Sequence, residues 1–183
     1  MRIISGKHKS RTLNTLEGLN TRPMTDRMKE SVFNTIGPYF DGDVVLDLFG
    51  GSGALSLESI SRGASTAYIV EKSYAAVKVI NSNIKALKEE SSTRVMNMDY
   101  QVALKKFISE GQKFDIIFLD PPYRMNICDE IIQTITENDM LNEYGIIVAQ
   151  YVRGNFKPEE TEYLKINKNY SHASSELCIL QKK

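Results

Sequence analysis

Val44-Val45-Leu46-Asp47-Leu48-Phe49-Gly50-Gly51-Ser52-Gly53 is the stretch that decides the fold. Its first residues are apolar except for Asp47, as in a short strand buried on both faces. Glycines at 50, 51 and 53 then mark a tight turn whose backbone can approach a ligand closely. Ala54 to Arg62 reads as a helix, whose first N–H groups would point back at that turn. Strand, glycine turn and helix together open a βαβ unit.

Working outward, the same alternation continues toward the C-terminus. Ala67-Tyr68-Ile69-Val70 is a second strand ending at Glu71, and Val77, Ile80, Ile84 and Leu87 mark a helix. Thr93-Arg94-Val95-Met96 is a third strand before Asp99, and Leu104, Phe107 and Ile108 mark the next helix. Phe114-Asp115-Ile116-Ile117-Phe118-Leu119 is a fourth strand running into Asp120-Pro121-Pro122-Tyr123. Ile127, Ile131 and Ile135 mark a helix, and Ile146-Ile147-Val148-Ala149 a fifth strand. Residues 163–166 and 176–180 are two more strand candidates with no helix between them, which reads as a hairpin. The pattern predicts an α/β domain with a mostly parallel sheet covered on both faces. Toward the N-terminus, Thr25 can cap a helix with Asp26 in its first turn. Met28, Val32 and Ile36 give that helix an apolar stripe, and Gly37-Pro38 ends it. Residues 1–20 read as a hairpin or a loosely held arm.

Composition sets the outer bounds. With 183 residues, 42% hydrophobic and 25% charged, the chain is an ordinary globular domain, not a disordered, collagenous or coiled-coil one. Lys+Arg and Asp+Glu are both 23, so a uniformly basic coat is excluded. The charge is uneven, however. Residues 1–40 carry seven cations against three carboxylates, or +4, and the rest of the chain carries −4. A basic segment 1–40 followed by a domain over 41–183 suggests a polyanion contact made by the arm. Cys128 and Cys178, fifty positions apart, suggest neither a disulfide framework nor a zinc site, and no metal is expected. No apolar run reaches the ~18 residues of a membrane span. The basic start lacks a signal-peptide core, so a cytoplasmic location is expected. With no spare apolar helix face, a monomer is expected. The methionines read as core filler, and Asn81 and Asn83 as solvent-facing mid-helix residues.

Asp47, Glu71, Asp99 and Asp120 all fall at strand carboxyl ends, where open α/β sheets bind ligands. Glu71, twenty positions after Gly51, can accept from ribose hydroxyls. The glycines do not follow G-x-G-x-x-G, so a cofactor without pyrophosphate fits better, S-adenosylmethionine foremost. Asp99 would then accept from the adenine amino group. In Asp120-Pro121-Pro122-Tyr123 the prolines remove two N–H donors and stiffen the turn. Carbonyls and the Asp120 carboxylate can converge on an exocyclic amine while Tyr123 offers a stacking face. Asp120 would orient the amine, by positioning and electrostatics, toward a sulfonium methyl.

At these residues the sequence resembles class I S-adenosylmethionine-dependent methyltransferases acting on amino nitrogens. RIISGKHKSRTL (2–13), TRPMTDRMKESVFN (21–34), VLDLFGGSGALSLESISRGA (45–64) and FDIIFLDPPY (114–123) resemble the RsmD-type family. That family methylates the exocyclic N2 of a guanine in bacterial 16S ribosomal RNA. The resemblance implies a Rossmann-like seven-stranded sheet with a short N-terminal extension, and S-adenosylmethionine as methyl donor. It implies that Asp47, Phe49, Gly51, Gly53, Glu71 and Asp99 hold the cofactor, and that Asp120, Pro121, Pro122 and Tyr123 form the catalytic motif. It further implies Thr25 and Arg27 beside the reacting centre, and Arg22 with Lys7, Lys9 and Arg11 on RNA, within the small ribosomal subunit and not on DNA. Gly50 stands where the family more often has alanine, a change expected to have no effect. Tyr170-Ser171-His172-Ala173 lacks the family's Tyr-Gly pair. The rival readings are an adenine-N6 or protein-glutamine methyltransferase on the same fold, and a non-catalytic RNA-binding assembly factor.

Overall fold

The computed structural model describes residues 1–16, 24–122, 124–172 and 174–183. The expected sites at Arg22 and Tyr123 lie outside the described residues. The elements alternate as the pattern dictates: α1 (Asp26–Ile36), β1 (Val44–Asp47), α2 (Ala54–Ser61), β2 (Thr66–Val70), α3 (Tyr74–Leu87) and β3 (Thr93–Met96). There follow α4 (Tyr100–Glu110), β4 (Phe114–Leu119), α5 (Cys128–Glu137), β5 (Leu141–Val152), β6 (Leu164–His172) and β7 (Ser175–Lys182). They build one seven-stranded sheet in the order β3-β2-β1-β4-β5-β7-β6. β1 to β5 run parallel; β7 inserts antiparallel beside β5 and pairs with β6 as the expected hairpin. The order reverses at β1, flanked by β2 and β4, which makes its carboxyl end the switch point where ligands bind.

Two apolar layers sandwich the sheet. One joins α4 and α5 to it through Tyr100, Leu104, Phe107, Ile131 and Ile135. The other joins α1, α2 and α3 through Val32, Phe33, Leu57, Ile60, Ile80 and Ile84. Ile3 and Leu13 are buried in that second layer, so the first residues are docked and not loosely held. Their turn is closed by Ile3 N–H donating to Arg11 O and Leu13 N–H to Met1 O.

Three local expectations are corrected. On α1 the buried face is Lys29, Val32 and Phe33, while Met28 and Ile36 only flank it. β5 starts at Leu141, well before Ile146, because a bulge carries it past a polar stretch. Phe114 pairs with Leu141 and Ile116 with Ile146, so two steps along β4 match five along β5. Asn83 is buried on α3, facing the arm and not solvent.

Candidate active site

Parallel register brings the carboxylates together. Asp47 pairs with Ile69 on one side and Phe118 on the other. Glu71 and Asp120 each stand two residues past those partners, so both overhang the end of β1. With Asp99, after β3, they line one cavity of about 610 Å³. Its floor is the glycine turn. Gly51 and Gly53 take φ of +56° and +79°, which L side chains seldom adopt. Gly51 N–H donates to Glu71 Oε2 (2.9 Å) and Ser73 N–H to Glu71 Oε1 (2.7 Å), so two amides fix that carboxylate. No side chain caps the start of α2, and Ala54 and Leu55 of its first turn also line the cavity.

Asp47 is fully buried. Its carboxylate accepts from Ser56 Oγ (3.0 Å) and Phe49 N–H (3.3 Å). Burial outweighs these bonds and the nearby Glu71 charge adds to it, pushing the carboxyl up to about 6. Asp120 accepts from no donor among the described residues, and burial, then the Asp47 charge, pushes it up to about 7. Asp99 caps α4 by accepting from Gln101 N–H (3.0 Å) and takes Lys72 Nζ at 3.1 Å. Those contacts hold it below the usual carboxylate range. Beside it Val70, Met98 and Tyr100 offer an apolar wall, with Tyr100 packed on Phe49 at 5.4 Å between ring centroids.

Of the residues singled out in the sequence, Asp47, Phe49, Gly51, Glu71, Asp99, Asp120, Pro121 and Pro122 all line this cavity. Gly53 does not; it sits beneath, packed toward Ile80 and Leu57, and shapes the turn. Gly50 matters more than expected, since a methyl there would come within 2.5 Å of Ile69 Cγ2. Thr25 caps α1 through Met28 N–H and Arg27 is exposed; the cavity is lined by their neighbours Met24 and Lys29 instead. Lys7, Lys9 and Arg11 do not line the cavity; Lys7 and Arg11 lie at the C-terminal end of α3. Lys7 pairs with Glu89 (2.7 Å) and Arg11 donates to Ala86 O (3.0 Å).

Two features escaped the sequence reading. Lys29, Glu58 and Arg62 form a buried ionic group: Glu58 meets Lys29 Nζ at 3.3 Å and Arg62 Nε at 2.7 Å. It also accepts from Ile4 and Ser5 N–H, tying the arm to α2. The signal was the spacing 29, 32, 33, which puts Lys29 on the helix's buried face. The second is the Asn83 carboxamide. It accepts from Asn14 N–H (2.8 Å) and donates to Asn14 O (3.0 Å) and Ser52 O (2.9 Å). It thus clamps the arm to the glycine turn. The methionines, read as filler, place Met1, Met24, Met98 and Met125 on the cavity wall.

Sheet order, switch-point cavity and glycine turn define a protein of the class I methyltransferase fold. Superposition agrees: a solved Escherichia coli structure titled "Putative methyltransferase yhhF" matches with a TM-score of 0.88 at 30% identity, covering 100% of this chain and 98% of that one. The chain belongs to the family described as Conserved hypothetical protein 95, which matches residues 1–181, and so to the RsmD-type group. A Bacillus subtilis relative, "Putative rRNA methyltransferase YlbH", is 39% identical over 183 residues, the full length of both chains. The Escherichia coli "Ribosomal RNA small subunit methyltransferase D" is 33% identical over 150 residues, 82% of this chain and 74% of that protein.

Proposed function

We propose that this chain transfers a methyl group from S-adenosylmethionine to the exocyclic N2 of a guanine in small-subunit ribosomal RNA. The observation that carries this reading is Asp120, a partly exposed carboxylate with no described donor, on a proline-stiffened turn in the same cavity as Glu71 and Asp99. The donor fits what is present. Glu71 can accept from ribose hydroxyls, Asp99 from the adenine amino group, and the Asp47–Asp120 side suits a positive centre. When bound, it supplies an electrophilic methyl on a sulfonium.

The chain's own residues do the rest. Asp120 accepts an N–H of the incoming amine and aims its lone pair into the cavity. A carboxylate poised near neutrality can also take the proton that nitrogen sheds as its charge develops. Pro121 and Pro122 contribute no competing N–H donor. Tyr123 is assigned the stacking face for a base splayed out of its RNA. The names of the relatives support ribosomal RNA as substrate.

The test is labelled-methyl transfer to undermethylated small ribosomal subunits, free small-subunit RNA and DNA in parallel, with Asp120→Ala as control. N2-methylguanosine from RNA, lost in the variant, is the expected result. Label in N6-methyladenine of DNA would overturn the substrate, and label nowhere despite donor binding would overturn the reading of the chain as an RNA methyltransferase.

A further inference from the structure

The arm and α3 together carry a concentration of charge that the cavity does not use. Residues 1–16 hold Arg2, Lys7, Lys9 and Arg11 and no carboxylate. Residues 72–88 hold Lys72, Lys78, Lys85 and Lys88 and no carboxylate. Eight cations thus fall in two short segments of a chain whose net charge is zero. The fold puts the two segments side by side. Arg11 bonds the last turn of α3 at Ala86 O, Asn14 bonds Ser82 and Asn83, and Lys7 and His8 both reach Glu89 just beyond it.

Nearby acids cancel part of this charge: Asp26 takes Arg2, Glu89 takes Lys7 and Asp99 takes Lys72, while Lys9, Arg11, Lys78, Lys85 and Lys88 have no carboxylate partner among the described residues. Glu89 is buried and takes Lys7, His8 and Ser92, which leaves the exposed Glu90 as the acid facing solvent at that end among the described residues. Asp99 is engaged by Lys72. Along α3, Lys78 and Lys85 are exposed on the helix's outer side. At the cavity end Tyr74 is 65% exposed, with Lys78 Nζ 4.8 Å from its ring centre. A row of cations ending in an exposed aromatic side chain matches a phosphate backbone with an unstacked base at one end.

Resting on the RNA reading above, we infer that the outer face of α3 and the docked arm form one surface that holds the RNA backbone, with Tyr74 stacking a base at the cavity rim. Docking on α3 holds the cations of the arm in place before RNA arrives, so less ordering is lost on binding. The surface is sequence-indifferent; the cavity supplies selectivity.

The experiment compares Lys78→Glu/Lys85→Glu with the charge-matched pair Lys165→Glu/Lys168→Glu on the exposed β6. RNA affinity is measured against salt, and donor affinity and melting temperature are measured alongside. The α3 pair is expected to weaken RNA binding at least tenfold near 0.1 M salt and to flatten the salt slope by about 0.7–0.9 for each phosphate that is no longer neutralised. Donor affinity should hold, Lys78→Arg/Lys85→Arg should bind as wild type, and Tyr74→Ala should weaken RNA without changing the slope. Equal losses in the α3 and β6 pairs would mean that only net charge counts and would overturn the surface. An α3 pair with unchanged affinity would overturn it too. Failure of the wild type to methylate any RNA would instead strike the underlying reading.

Discussion

Replacing Asp120 by asparagine should stabilise the protein while abolishing methyl transfer. The carboxyl rises from 3.8 to about 7, so ionising it in the folded state costs more than in the unfolded chain. About 3 pK units at 1.36 kcal/mol each set a ceiling near ~4 kcal/mol once both states are ionised. Part of that is repulsion from Asp47, which the variant also relieves. In the 150–250-residue range each kcal/mol moves the melting temperature by roughly 2–4 °C. The gain at pH 8.5 is therefore bounded at about 8–16 °C, and a rise of several degrees is expected. The sign of the pH dependence is fixed. Between pH 4 and 7 the folded state binds more protons than the unfolded one, so wild-type stability falls as pH rises through that window. Below pH 4 the protonated acid and the amide are near-isosteres, and the gap should close. Thermal melts of both proteins at pH 4.5, 6, 7 and 8.5 read this directly. A variant melting at or below wild type at pH 8.5, or a gap independent of pH, would refute the reasoning. Asp47 gives the contrast: it accepts from Phe49 N–H and Ser56 Oγ, so an amide there loses acceptor capacity that Asp120 does not use.

Two other consequences follow from the same geometry. Asn83→Ala leaves the Asn14 amide and the Asn14 and Ser52 carbonyls without their partner, a cost of about 1–3 kcal/mol for each group that stays dry. The donor KM should rise about tenfold, equivalent to ~1.4 kcal/mol, with a smaller change in kcat, since the turn and the arm wall the cavity without touching the reacting atoms; an unchanged donor KM would remove Asn83 from any positioning role. With Asp120 near 7 and Asp47 near 6, binding of a cationic donor should release about one proton at pH 6.5 and almost none at pH 8.5. Calorimetry in buffers of different ionisation enthalpy measures this, and proton uptake would contradict the assigned charges.

The framework of the fold was legible because buried parallel strands are continuous apolar runs, and each of the first five here is followed or preceded by a helical period. The four carboxylates were legible as a group because their common position, the strand carboxyl end, has a topological meaning. What escaped reading lacks a local signature. The bulge in β5 passes through Asn142, Glu143 and Tyr144, whose polarity mimics a loop. Asn83 sits among polar residues on α3, and only the docked arm makes its face an inner one. Lys29 was hidden by its charge: its partner Glu58 lies on another helix, 29 positions away, and the arm that covers both cannot be placed from periodicity.

The cavity's electrostatics bear on the ligand independently of the glycine spacing. Among the described lining residues, Asp47, Glu71, Asp99 and Asp120 face only two cationic side chains. Lys29 is committed to Glu58 and Lys72 to Asp99. Burial lowers Lys29 despite Glu58, so that lysine cannot be counted on to neutralise the carboxylates across the cavity. A pyrophosphate placed there would meet uncompensated negative charge, whereas a sulfonium with an ammonium group would meet its complement. The cost held in Asp47 and Asp120 in the free protein is then repaid when a positive ligand enters. The docked arm and α3 present the opposite sign on the outside. Two ligands of opposite charge can therefore bind one neutral chain without competing: a cation within the sheet's switch point, and a polyanion along the helix beside it.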